Sequence, residues 1–144
     1  MRIKTLLLII AAMTSISTAA LASDSHENFL AHFISGRYHL IGKALNSQET
    51  YYGKATLTTH KKNKLVIQKI IAGKTIVGSD AIEKTSLSNA FVLRIRFSEK
   101  NKPFEETCMI SSDLDNQARI TCYLYQPDVS TKNPGFEAYF VDHD

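Results

Sequence analysis

The sequence predicts a mainly β protein: a single eight-stranded antiparallel up-and-down barrel preceded by a short N-terminal helix. Three observations carry this expectation. Beyond Gly36 the chain breaks into eight short runs rich in Val, Ile, Thr, Tyr and Phe, divided by polar or Gly-containing connections. Those connections lack the dozen or more residues that a parallel crossover needs, so consecutive runs should pair antiparallel. A meander of that length removes its two open edges by closing on itself. At 144 residues there is room for one domain. With 44% hydrophobic and 22% charged residues, the composition excludes a disordered, collagenous or coiled-coil chain.

Residues 1–22 read as a secretory signal peptide. Arg2 and Lys4 form the basic start, Leu6 to Met13 the apolar run, and Ala20-Leu21-Ala22 the small-residue cleavage site. The apolar run is shorter than the roughly 20 residues of a spanning helix. Ser23, not Cys, follows the cleavage site, so no lipid anchor is expected. The expected product is a soluble, periplasmic or secreted domain covering residues 23–144. Cleavage removes two bases and no acid, which turns 17 Lys+Arg against 14 Asp+Glu into 15 against 14. The near-neutral remainder has no clustered Lys/Arg with interleaved aromatics, which argues against nucleic acid as a partner. Lys61-Lys62-Asn63-Lys64, the only basic run, reads as a solvated turn.

Helix signals span about residues 24–34. Asp24 and Glu27 make a capping-box pattern, Phe29, Leu30, Phe33 and Ile34 form an apolar stripe, and Gly36 suits the stop. That stripe is expected to pack on the barrel. Strands are expected at 37–45, 51–59, 65–71, 75–82, 91–97, 104–111, 119–125 and 136–141.

Cys108 and Cys122 lie on adjacent expected strands around a turn at Asp113-Leu114-Asp115-Asn116. Opposed across an antiparallel pair, they can form a disulfide, and an oxidising destination favours it. The alternative is two buried free thiols. This register sets Ile110 opposite Ile120, Glu106 opposite Leu124 and Phe104 opposite Gln126. One strand back, it sets Phe97 opposite Phe104, Ile95 opposite Glu106, Leu93 opposite Cys108 and Phe91 opposite Ile110. One parity then places the apolar residues of three strands on one face. Arg94, Arg96, Glu105, Thr107 and Arg119 fall on the other, with Arg96 facing Glu105. Those outer charges argue against a barrel embedded in a membrane.

Glu106 is the one charged residue on that inner face. It reads either as the polar handle of an apolar pocket or as a residue near the mouth that reaches water or a neighbouring lysine. Phe91, Leu93, Ile95, Phe104 and Leu124 are the expected ligand-facing residues beside it. The strands 65–71 and 75–82 leave their inward face open. Leu65, Ile67, Ile71 and Ile76 share a face with Lys69 and Asp80, while Val66, Ile70 and Val77 share the other with Gln68. Gly42, Gly53 and Gly78 interrupt strands, as glycines do at corners or close backbone approaches.

No catalytic set is visible. There is no nucleophile elbow, no phosphate-binding Gly-rich loop, and no His pair at zinc-ligand spacing, so neither an enzyme, a metal nor a cofactor is expected. Asp142-His143-Asp144 reads as a polar terminus, and Asp113 to Asn116 as a turn lacking the Gly and distal Glu of a calcium loop. Tyr51, Tyr52, Tyr123, Tyr125 and Tyr139 read as cross-strand packing or as an aromatic recognition surface.

Gly36-Arg37-Tyr38 at the start of the first strand, behind a short helix, resembles the calycin-type barrels (the lipocalin, fatty-acid-binding and avidin architecture), with Tyr38 where those families usually carry Trp. The resemblance implies a barrel that binds a small apolar molecule inside. A non-enzymatic binding protein for such a ligand is therefore the expected function. The alternative is a protein-interaction module or hydrolase inhibitor whose loops and outer face bind an envelope or extracellular protein.

Overall fold

A computed structural model of the chain describes residues 18–61, 64–85, 90–111 and 117–144. These form one helix, α1 (Thr18–Ile34), and eight strands: β1 (Gly36–Lys43), β2 (Thr50–Lys61), β3 (Lys64–Ile71), β4 (Lys74–Lys84), β5 (Phe91–Glu99), β6 (Lys102–Ile110), β7 (Ile120–Tyr125) and β8 (Gly135–Val141). Each strand pairs antiparallel with the next, and β8 returns to β1, closing an up-and-down barrel. Every expected run coincides with a strand to within two residues at either end. Residues 1–17 of the expected export segment, Lys62-Asn63 and the turn at 113–116 lie outside the described residues.

The helix departs from expectation at its start. It begins at Thr18 rather than at a cap on Asp24, because Ala19, Ala20, Leu21 and Ala22 are strong helix formers that carry the turn backward. Its buried face is also rotated. Ala31 and Ile34 are fully buried, whereas Phe29 points outward and stacks on Phe33. The helix closes the end of the barrel where β1 begins. Tyr38 donates from its hydroxyl to the Ile34 carbonyl at 2.6 Å. Arg119 donates to the Phe33 carbonyl at 3.1 Å and lies over the Phe33 ring. Through these contacts the barrel takes over the helix's last carbonyls, which no further turn can satisfy.

The register expected around the cysteines is the one observed. Cys108 faces Cys122, Ile110 faces Ile120 and Glu106 faces Leu124 across β6 and β7. Leu93 faces Cys108, Ile95 faces Glu106 and Phe97 faces Phe104 across β5 and β6. The two sulfurs are bonded, with the cysteine Cα atoms 4.0 Å apart. The outer Arg96–Glu105 pair is present at 2.8 Å and belongs to a wider set in which Arg94 and Arg96 share Glu83 and Glu105.

The open choice in β3 and β4 resolves toward the charged face. Leu65, Ile67 and Lys69 point inward with Asp80 and Ile82, while Val66, Ile70 and Val77 are exposed. A tight two-residue turn joins these strands, with Ala72 and Gly73 at φ of 49° and 77°. Lys100 and Asn101 make an equivalent turn between β5 and β6, at 50° and 62°. Positive φ at both central positions is the geometry that matches the twist of paired strands.

Candidate functional site

The end of the barrel away from α1 is open, and a cavity of about 640 Å³ descends from it. Its walls are Leu45, Ile71, Ile76, Phe97, Phe104 and Leu124, and its floor includes Tyr51, Lys69 and Glu137. Lys74, Glu99 and Lys102 stand toward the rim, where Lys74 and Glu99 are ion-paired. Below the floor the interior is packed: Leu40, Ile67, Leu93, Ile95 and Ile120 are at most 1% exposed.

A polar layer separates the open half from the packed half. Lys69 from β3 donates through Nζ to Glu106 of β6 and, at 2.6 Å, to Oε2 of Glu137 on β8. The Tyr51 hydroxyl of β2 donates to Oε1 of Glu137 at 2.5 Å. The Tyr139 hydroxyl lies 2.5 Å from Glu137 Oε2 and 2.9 Å from Glu106 Oε2. Lys69 Nζ also sits 4.7 Å from the Phe97 ring centre, inside cation–π range. The hydrogen-bonded groups come from four different strands, and Lys69, Glu106, Glu137 and Tyr139 are at most 1% exposed. An arrangement so thoroughly desolvated is tolerable only because each charge finds a partner.

The shared geometry sets the protonation of the layer. Burial alone would lower Lys69, but Glu106 and Glu137 outweigh it and hold the ammonium above its ordinary pKa. Burial would raise Glu137, yet Lys69, Tyr139 and Tyr51 hold it below the ordinary carboxylate range. Glu106 goes the other way. Burial and the neighbouring Glu137 push it up to about 8 against the pull of Lys69. The hydroxyl count agrees. Tyr139 has one proton and gives it to the nearer Glu137, so a proton on Glu106 completes the second contact. At neutral pH Lys69 is therefore held as an ammonium and Glu137 as a carboxylate, while burial and the neighbouring Glu137 favour the protonated form of Glu106. Burial also raises the pKa of Tyr51 and Tyr139, so both remain hydroxyls.

Asp80 of β4 lies inside the barrel between Leu65 and Ile95 in the strand register. It is 4% exposed, and among the described residues neither carboxylate oxygen has a hydrogen-bond partner. Burial pushes its pKa up to about 7, with Lys69 the opposing influence.

Glycine shapes the floor. A Cβ on Gly42 would stand 2.2–2.6 Å from the Tyr51 ring, so only glycine at that position lets the ring fold inward to reach Glu137. At Gly53 an added Cβ would meet the Ile70 carbonyl oxygen at 2.7 Å, a close backbone approach between β2 and β3.

Of the ligand-facing residues expected from sequence, Phe104 and Leu124 line the cavity. Glu106 sits beneath the floor and is not at the mouth; its neighbouring lysine is Lys69. Leu93 and Ile95 are in the packed half, and Phe91 lies at the helix end beside His26. Sequence reasoning missed Lys69 and Tyr139 as partners of Glu106, and Glu137 and Tyr51 as the rest of the layer around it. The usable signal was a buried carboxylate that demands a cation, together with Lys69 among Leu65, Ile67 and Ile71.

The five tyrosines do not form one surface. Tyr51 and Tyr139 turn inward, while Tyr52 and Tyr123 are exposed. Candidate metal ligands meet at two places among the described residues. Glu106 lies near Cys108 and Cys122, but those sulfurs are bonded to each other. His39, Asp142 and Asp144 converge near the C-terminus, where Arg37 and Lys54 already act on Asp142. Among the described residues no helix is long and apolar enough to cross a membrane. No protein-family model, curated protein or solved structure matches the chain.

Proposed function

We propose that this protein is an exported, non-enzymatic binding protein that holds a small, largely apolar ligand in the open half of its barrel. The observation that carries this reading is the cavity of about 640 Å³, apolar on its walls and polar only at its floor and rim. Volumes of this order, with a few converging polar groups, are typical of small-molecule sites. The polar layer supports the same reading, since it props the cavity open from below instead of letting side chains fill it. The Arg2/Lys4 start, the apolar run and the buried disulfide fit export to an oxidising compartment.

Nile red, a neutral dye that brightens in apolar surroundings, tests the proposal. The oxidised protein should bind it at one saturable site, and Ile76→Trp, which fills the cavity, should weaken binding by about tenfold or more while melting stays close to wild type. Absence of saturable binding, or equal binding by the filled variant, would overturn it. A second reading, docking of an envelope or extracellular protein on the outer face, draws on Tyr52, Met109 and Tyr123, which are 75%, 67% and 59% exposed. Such docking should survive Ile76→Trp and fail on Tyr52→Ser with Tyr123→Ser.

A further inference from the structure

The interior carries more acid than base. Among the described residues, Lys69 is the one cation buried inside the barrel, against the three carboxyl groups of Asp80, Glu106 and Glu137. Lys69 satisfies part of two of them and none of the hydrogen-bonding need of Asp80. Burial favours protons on this surplus, raising Glu106 to about 8 and Asp80 to about 7. A group entering the cavity meets Tyr51, Lys69 and Glu137 at the floor. The Lys69 ammonium gives two of its three N–H groups to the glutamates and faces the Phe97 ring, so an arriving carboxylate meets a cation already neutralised by Glu137, beside a carboxylate that repels it. An arriving ammonium finds the opposite. Among the described residues Glu137 Oε1 accepts from the Tyr51 hydroxyl alone, which leaves a lone pair for a second donor. The stacked rings of Phe97 and Phe104, 5.5 Å apart, line the wall above it. Carboxylate below and aromatic faces beside are the chemistry that recognises an ammonium.

We infer that the ligand is an apolar amine whose ammonium head seats against Glu137 and Tyr51, and that its arrival expels a proton from the Lys69–Glu106–Glu137 layer to solvent. This rests on the cavity reading above and names its ligand class. The charge balances: one cation enters, one proton leaves Glu106, and the carboxylate so formed stays bonded to Lys69 and accepts the Tyr139 hydroxyl proton, which turns to it from Glu137 as the ammonium arrives. The other charges in reach are Asp80 on β4, which shares the burden through Lys69, and the rim residues Lys74, Glu99 and Lys102. The rim is solvated and screened, so it influences approach more than seating.

Three ten-carbon probes decide the matter by displacing Nile red from the full, oxidised chain: decylamine, decanol and decanoate. Decylamine should compete about tenfold or more better than decanol, and decanoate worst. Calorimetry at pH 7 in two buffers of different ionisation enthalpy should show net proton release with decylamine and none with decanol. Glu137→Gln should abolish the amine's advantage while leaving decanol binding in place. If that variant does not fold, the wild-type ranking and proton count still decide. Equal or better competition by decanol or decanoate, or amine binding without proton release, overturns the amine inference and leaves the cavity intact. Failure of all three probes to displace the dye overturns the cavity reading with it.

Discussion

Asp80 is a buried carboxyl group with no hydrogen-bond partner among the described residues, and its effect on stability has a definite sign. Its unfolded value is 3.8 and its folded value about 7. Between those values the folded state keeps a proton that the unfolded state has lost, so this residue's contribution falls as pH rises through that window. At 1.36 kcal/mol per unit the loss is on the order of 4 kcal/mol, complete above pH 7. Asp80→Asn should therefore show a stability gain over wild type that grows from pH 4 to pH 8, read from urea midpoints across that range. A gain that is flat with pH would mean that Asp80 does not carry the proton. Lys69 is the converse case. Lys69→Met leaves Glu106 and Glu137 buried together without their cation, and should cost about 3–5 kcal/mol. Converting both glutamates to Gln in the same chain should recover much of that loss, because the uncompensated charge goes with them.

At the scale of the element, legibility followed the chemistry of each strand's two faces. β5, β6 and β7 alternate cleanly, and Cys108 facing Cys122 ties their registers together, so their inward face could be read from the chain. β3 and β4 could not be settled that way, because Lys69 and Asp80 sit on the inward face and imitate solvent-facing residues. β8 hides its site similarly. Phe136 points out and is 39% exposed, while Glu137 points in, so hydrophobic alternation gives the inverse of the true sides. A buried polar layer inverts the local pattern wherever it crosses a strand, and only the partner on a distant strand explains it. The hairpins hold a separate prediction. Lys100 and Asn101 both lie at positive φ, which costs a lysine more than an asparagine or glycine. Lys100→Asn combined with Asn101→Gly should raise stability by about 1 kcal/mol, measured as a higher urea midpoint with an unchanged slope.

The whole molecule is a barrel in two halves, with the helix and the packed core at one end and the cavity at the other, and the polar layer between them. The disulfide belongs to the packed half. Cys108 and Cys122 are fully buried and staple β6 to β7 beneath the layer, away from the mouth. A reductant cannot reach such a bond in the closed barrel, so reduction must wait for the strands to part. Reduction by a small neutral phosphine in native buffer should accordingly be slow, and should accelerate with urea in step with the unfolding rate. Once broken, the link no longer restricts the unfolded chain, and closing a loop of about 15 residues is worth roughly 3 kcal/mol. The reduced protein should therefore melt lower by an amount of that order, while Nile red still binds below the melt, because the cavity walls above the layer do not depend on the sulfurs. Fast reduction in native buffer would place the β6–β7 pair among the locally opening parts of the fold. Loss of dye binding from a reduced but folded barrel would show that the two halves are coupled through the layer, and that Lys69, Glu106 and Glu137 transmit a change in the packed half to the floor of the cavity.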